Sequence, residues 1–494
     1  MLDKKPATGP GEVTLPSHRE LYYGGAWHKA ISGRKLALTS PATGEDLGAV
    51  EDAGAADVER AIAAASAAFK SWRRTKPLER AEMLREIASI LRAHAEDLAL
   101  VDAIDCGNPA REMVGDVRAA AGGMDFFAGL VTEMKGETVP MGPAQLSYSV
   151  REPLGVCAKI IPYNHPLMFA AVKTAAPLAA GNTIIVKPCE QAPLSALRFA
   201  ELIEGILPPG VFNVLPGGRE CGAALSGHPG IAKVSLIGSV PTGKAILRAA
   251  ADTVKPVMLE LGGKNAIIVC ADADPDKAAA GIVRGMNFTW AGQSCGSTSR
   301  AFIHESVYDA VLAKVLEKSK IHKPGIPTDM DCTMGSIVSQ EQFDKVMRYI
   351  QWGKEDGARL VAGGKRPDDP KLARGFFVEP TIFADVTMKM RIAKEEIFGP
   401  VLSVLKWRDE AAMIEEVNAV EYGLTGAVFT RDLVTAHRLA AAIEAGYIWI
   451  NQASTHFLGA PFGGYKQSGL GREECLAELL AYTQIKNVNV LLEG

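Results

Sequence analysis

Between residues 55 and 105 apolar side chains return at intervals of three, four and seven, the repeat of an α-helix with one buried face. Val58, Ile62, Ala65, Phe69 and Trp72 make one such series, and Leu84, Ile87, Ile90, Leu91 and Leu98 a second. Two helices are expected here, the second stopped by the Cys-Gly-Asn-Pro run at 106–109. From about residue 150 the pattern shortens. Apolar runs within 155–162, 182–188, 211–217, 232–239 and 255–261 are of strand length and are closed by Gly, Pro or a polar residue. Ala- and Leu-rich segments at 167–180, 194–207, 221–226 and 242–251 separate them. Strand and helix in alternation predict an α/β fold: a parallel sheet covered on both faces, with ligands beyond the carboxyl ends of its strands.

A second alternation starts near Asn265 and places strands within 265–270, 301–305, 360–364, 402–407, 425–430 and 446–451. It predicts a second domain beginning at the Leu-Glu-Leu-Gly-Gly-Lys-Asn junction, 259–265. The tail at 484–494 is β-prone but too short to be a sheet alone, so it is expected to complete one in its own or a neighbouring subunit. The first 20 residues, with Pro6, Gly9, Pro10, Gly11 and Pro16, read as an extended arm.

Composition narrows the class. A chain of 494 residues with 48% hydrophobic and 22% charged residues supports two or three ordinary domains rather than a stapled or disordered one. A net charge of -4 supplies no basic field for nucleic acid or anionic membrane, so small molecules are the expected partners. With no apolar leader, no Arg-rich transit pattern and no run of 18 apolar residues, a soluble cytoplasmic protein is expected. The eight cysteines are dispersed, without CxxC or Cys/His zinc spacing, so neither disulfides nor a metal is expected.

Several polar residues could carry chemistry. Cys295, in Gly-Gln-Ser-Cys-Gly-Ser, is either one more structural thiol or a nucleophile, and the second role needs surroundings that lower its pKa. Glu260, at the end of an apolar strand before two glycines, either stabilises a turn or is a general base in an apolar site. Asn164, between two prolines, satisfies its own turn or donates to an oxyanion. Lys187 and Glu190 form a solvated pair or meet a ribose at the strand end. Gly238 and Ser239 open a helix after a strand, where free N–H groups could face a phosphate. No G-x-G-x-x-G fingerprint follows a strand, which counts against an ordinary Rossmann dehydrogenase.

Taken in order, the segments PYNHP, KPCE, IGSVPTG, LELGGK, GQSC, EEIFGP and PFGGYKQSGLGRE resemble the aldehyde dehydrogenase superfamily over nearly the whole chain. The resemblance implies a Rossmann-type NAD domain without the glycine fingerprint (1–135 and 153–259), an α/β catalytic domain (260–470) and a small β oligomerisation element (136–152 and 471–494). It matches Cys295 to the catalytic thiol, Glu260 to the general base, Asn164 to the side-chain oxyanion donor and Lys173 to a supporting lysine near the site entrance. Ile161, Pro162 and Tyr163 would line the dinucleotide path, with Lys187 and Glu190 at the adenosine ribose and Gly238 and Ser239 at the pyrophosphate. Gln342 and Lys345 would reach the adenosine side, Glu396 and Phe398 the nicotinamide ribose and ring, and Glu473 would stand behind the catalytic centre.

The implied reaction is NAD-dependent oxidation of an aldehyde to an acid through a thiohemiacetal and a hydrolysed thioester. NADP use stays open, although a carboxylate at Glu190 favours NAD. A homodimer or homotetramer is expected. Tyr163, Met168, Phe169, Phe288, Trp290, Phe457 and Phe462 are expected near the substrate tunnel, about half of them as core, which suits an apolar, aromatic or quaternary ammonium aldehyde. Tyr163 and Phe462 stand where many family members have Trp, and Ser294 and Gly296 also depart from the common pattern. A coenzyme A-acylating enzyme, or a silent binding protein on the same scaffold, remains the alternative.

Overall fold

The computed structural model describes residues 13–492, so most of the expected N-terminal arm lies outside the described residues. The first helical series is the helix Ala55–Trp72, which buries Val58, Ile62, Ala65 and Trp72. The second is two helices, Pro77–Ala93 and Ala95–Cys106, divided where His94 leaves helical geometry (φ -111°, ψ 22°). Neither Pro nor Gly marks that break, and Leu91 and Leu98 stay buried on either side of it, so the apolar repeat conceals it. Gly107, at φ 85°, ends the third helix in the left-handed conformation a glycine permits. A further helix, Ala110–Gly129, packs on this group and was not singled out by the pattern.

The expected parallel sheet is present. Strands Val156–Ile160, Thr183–Lys187, Phe212–Val214, Lys233–Ile237 and Val257–Glu260 run parallel and are flanked by antiparallel partners, Leu21–Tyr23 at one side and Gly469–Leu470 at the other. From Val156–Ile160 the chain moves outward through Thr183–Lys187 to Phe212–Val214, then returns to lay Lys233–Ile237 on the opposite side. The strand order therefore reverses beside residues 161–164 and 238–239, where a crevice opens at the carboxyl ends of such sheets.

The second sheet has seven strands, all parallel except the edge strand Arg359–Ala362. Ala266–Val269 lies between Arg300–His304 and Thr425–Phe429. The loop carrying Cys295 leads into the amino end of Arg300–His304, so the amino end of this sheet faces the carboxyl end of the first.

The tail strand Thr483–Leu491 pairs antiparallel with Gln145–Pro153 of its own chain, from Thr483 opposite Pro153 to Leu491 opposite Gln145. With Thr138–Val139 it forms a three-stranded sheet that leaves Leu146, Val150 and Ile485 exposed. Of the two homes expected for the tail, the structure shows the one within the same subunit.

Candidate active site

Glu260 is the last residue of its strand, and its carbonyl accepts from the N–H of Gly238 at 3.0 Å, which ties the two strand ends together. The glycines that follow have no room for a side chain: a Cβ on Gly262 would stand 2.2 Å from a Glu396 carboxylate oxygen, and one on Gly263 2.8 Å from the Cys295 carbonyl. Asn265, two residues later, holds the Cys295 loop. Its Nδ2 donates to the carbonyls of Cys295 (2.7 Å) and Ser297 (3.0 Å), and its Oδ1 accepts from the N–H of Thr425 (3.0 Å). Thr425 Oγ1 in turn donates to the Gly296 carbonyl at 3.2 Å.

Cys295 is half-buried and is the one cysteine of the eight that is not fully buried. Its surroundings do not lower its pKa as a nucleophilic role was expected to require. Burial raises it well above the ordinary thiol value, and the adjacent Glu260 carboxylate raises it further. Burial also pushes the Glu260 carboxyl up to about 8, with the Cys295 hydrogen bond pulling it down and the charge of Glu473 adding to the rise. Oε1 of Glu260 is buried without a hydrogen-bond partner. The thiol thus keeps its proton next to a carboxyl group that becomes a base as pH rises through about 8.

Asn164 lies in the same cleft, nearly fully buried, with Oδ1 unpaired and no hydrogen bond from its Nδ2 among the described residues. Asn108, in the Cys-Gly-Asn-Pro turn, fixes this segment by donating Nδ2 to the Asn164 carbonyl at 2.7 Å. Lys173 is nearly fully buried in the wall of the second cavity described below. Its buried Nζ lies 2.8 Å from Glu473 Oε2, and Nζ of the equally buried Lys159 lies 2.9 Å from Oε1. Burial would raise the Glu473 carboxyl, but the two ammonium groups outweigh it and hold the group at about 2.

Two cavities meet at Cys295 and Glu260. The first, of about 280 Å3, runs along the crevice of the parallel sheet past Pro162, Tyr163, Gly238, Ser239, Glu396 and Phe398. Ser239 caps the helix Val240–Ala251, whose N-terminal amides face this cleft. Gln342 and Lys345, expected at the adenosine side, stand instead beside Glu396 and Phe398: Gln342 Nε2 donates to the carbonyls of Ile397 (2.9 Å) and Phe398 (2.8 Å). Those bonds hold Phe398 at φ 56°, a strained value for a residue other than glycine. Lys187 and Glu190 do not line the cleft. Lys187 Nζ donates to the Pro188 carbonyl (3.1 Å) and lies 3.8 Å from the exposed Glu190 carboxylate at the strand end. Ile161 is buried, its N–H bound to the Lys187 carbonyl, while Gln191, not anticipated, does line the cleft.

The second cavity, of about 610 Å3, is lined by Met168, Phe169, Trp290, Phe457 and Phe462. Two expected aromatics are absent from it. Phe288 is core, and Tyr163 belongs to the first cavity, edge-on to Phe398 at 6.0 Å. His165 and His456, which the sequence reading passed over, are in its wall. Among the described residues no cluster of His, Cys, Asp and Glu is placed to hold a metal, and no helix is long and apolar enough to cross a membrane.

A switch-point crevice opening on a thiol, a carboxyl group and an amide defines an α/β oxidoreductase of the dinucleotide-binding class. The Aldehyde dehydrogenase family model matches residues 27–488, and the chain belongs to that family of NAD-dependent enzymes. It is 52% identical over 493 residues to aldehyde dehydrogenase tropH of Talaromyces stipitatus, covering 98% of this chain and 96% of that one. It is 44% identical to betaine aldehyde dehydrogenase of Mesorhizobium japonicum, covering 95% and 96%. The NAD+ complex of aldehyde dehydrogenase from Bacillus cereus superposes with a TM-score of 0.93 at 39% identity, covering 97% of each chain. An indole-3-acetaldehyde dehydrogenase in complex with NAD+ does so at 0.94 and 39%, again covering 97% of each.

Proposed function

We propose that the enzyme converts an apolar, aromatic or quaternary ammonium aldehyde to its carboxylic acid through a covalent intermediate on Cys295. The observation that carries this reading is the meeting of the two cavities at Cys295 and Glu260, so that a dinucleotide and an aldehyde approach the same thiol from opposite sides.

The crevice fits a dinucleotide. It offers a capped helix N-terminus for phosphate, an apolar floor at Pro162 and Tyr163, and the Glu396 carboxylate beside Phe398. Ser239 and Gly238 would hold the pyrophosphate, Lys187 and Glu190 at the strand end beyond the cleft the adenosine ribose, with Ile161 backing the dinucleotide path from the core, and Glu396, Phe398, Gln342 and Lys345 the nicotinamide end. NAD supplies, when bound, the acceptor for the aldehyde hydrogen as hydride.

Cys295 releases its proton to solvent water and its sulfur bonds to the aldehyde carbon, while the carbonyl π pair moves to the oxygen and leaves it an alkoxide. The Asn164 amide and the Cys295 N–H hold that oxygen, an arrangement whose loss costs about 3 kcal/mol per donor. After oxidation the sulfur carries a thioester. Glu260 takes a proton from water, the hydroxide bonds to the carbonyl carbon, the C–S bond breaks, and the acid leaves as the thiol is restored. A base of pKa about 8 beside the thiol supports water as the acyl acceptor rather than coenzyme A.

In the same reading the first sheet carries the dinucleotide, the second carries the nucleophile loop, and the three-stranded sheet serves assembly into a homodimer or homotetramer in the cytoplasm. The test is Cys295→Ala assayed with propanal and NAD. NADH production should fall to background while NAD binding by calorimetry persists; normal turnover in that variant overturns the assignment.

A further inference from the structure

We propose that His165 and His456 set the substrate preference of this enzyme, selecting aldehydes whose aromatic ring carries a hydroxyl group. The proposal rests on the dehydrogenase reading above and adds the chemistry of the second cavity to it.

Both imidazoles line that cavity, and each is held through the same ring nitrogen. Nδ1 of His165 lies 2.6 Å from Asp116 Oδ2, and Nδ1 of His456 lies 3.2 Å from Glu474 Oε2. A carboxylate at Nδ1 keeps the proton on that nitrogen, so the neutral ring has its free lone pair at Nε2, on the opposite edge. Neither Nε2 has a hydrogen-bond partner among the described residues. The rings are also packed in place. His165 meets Trp290 edge-on at 5.3 Å and Phe169 at 5.6 Å, while His456 stacks on Tyr447 at 5.7 Å and leans on Phe462 at 4.7 Å.

Beside its apolar and aromatic side chains the slot thus presents two fixed acceptors to whatever reaches Cys295. A hydrocarbon aldehyde leaves them unpaired, which penalises its binding. A quaternary ammonium group has nothing to donate, and the nearby carboxylates Asp116 and Glu474 are already engaged by the imidazoles. A hydroxyl group donates to an imidazole Nε2, and the volume of about 610 Å3 admits a substituted ring. His165 is the deeper of the two, with 11% of its side chain exposed against 42% for His456, so ring positions at two depths can be read.

The test compares kcat/KM for 3-hydroxybenzaldehyde and 3-methylbenzaldehyde, which match in shape, in the wild type and in the double variant His165→Phe, His456→Phe. The wild type should prefer the hydroxylated ring by about tenfold, the discrimination of one good hydrogen bond. In the double variant the ratio should fall to about one. Should the double variant fail to fold, the single variants His165→Asn and His456→Asn report the same ratio, and at least one must lower it. A wild-type ratio near one, an unchanged ratio in all variants, or a higher kcat/KM for betaine aldehyde than for 3-hydroxybenzaldehyde overturns the proposal. Absence of propanal turnover in the wild type would instead overturn the dehydrogenase reading on which it rests.

Discussion

Glu260 opposes the ionisation of Cys295, whereas the Cys295 hydrogen bond favours that of Glu260, and this asymmetry sets what each can do. The carboxylate is one of the reasons the thiol pKa is raised, so removing its charge makes the thiolate easier to form. Glu260→Gln should therefore keep the pre-steady-state burst of NADH and shift its pH profile downward, while steady-state turnover falls by about 100-fold for want of a base. Stopped-flow absorbance separates the two phases; loss of the burst with NAD still bound would mean that Glu260 acts before oxidation. The pH dependence follows in sign. With its carboxyl pushed up to about 8, Glu260 is a base above that pH and protonated below it, so wild-type turnover limited by deacylation should fall as pH drops through about 8. Both residues were legible in the sequence as candidates. Their ionisation was not, because burial and the charge of Glu473 act through space across segments far apart in the chain.

Between elements, the Glu473 carboxylate locks three pieces together: Lys159 on the strand Val156–Ile160, Lys173 on the helix Pro166–Ala179 and the loop after Gly469–Leu470. Lys159→Met leaves a buried carboxylate with one ammonium partner fewer and should cost about 3 kcal/mol. Lys135→Met, which breaks an exposed pair with Glu133 at 2.9 Å, should cost less than about 1 kcal/mol. Thermal unfolding followed by circular dichroism distinguishes them, and equal Tm values would contradict a structural role for the network. No pattern in the sequence announces this triad. Lys159 interrupts an apolar strand run and Lys173 an Ala-rich helix, and each could equally have pointed its charge to solvent. The strands themselves were readable, because period and punctuation are local, whereas the break at His94 was not, since the apolar repeat runs through it.

For the whole molecule the tail strand matters most. Thr483–Leu491 covers the edge of Gln145–Pro153 along its full length, so truncation after Tyr482 exposes a strand of unpaired backbone groups. The truncated enzyme should elute from size-exclusion chromatography as aggregate or in a changed oligomeric state, and an unaltered elution volume would show that this edge is dispensable. Its β character was evident from the alternation of Asn487, Val488, Asn489 and Val490, but its partner was not, because pairing across more than 300 residues leaves no local signature.

By itself the sequence determined the kinds of element, their order, the glycines at Gly262 and Gly263, and the short list holding Cys295, Glu260 and Asn164. These follow from periodicity, from turn chemistry and from which side chains can do covalent or proton-transfer work. Only the tertiary structure decided that the two sheets face each other across Cys295, that Asn265 shapes the nucleophile loop, and that Gln342 supports Phe398. It alone turned His165 and His456, which the sequence shows as ordinary polar residues near prolines and serines, into the wall of one cavity. Co-location, desolvation and the sum of distant charges are properties of the packed chain, and no stretch of sequence contains them.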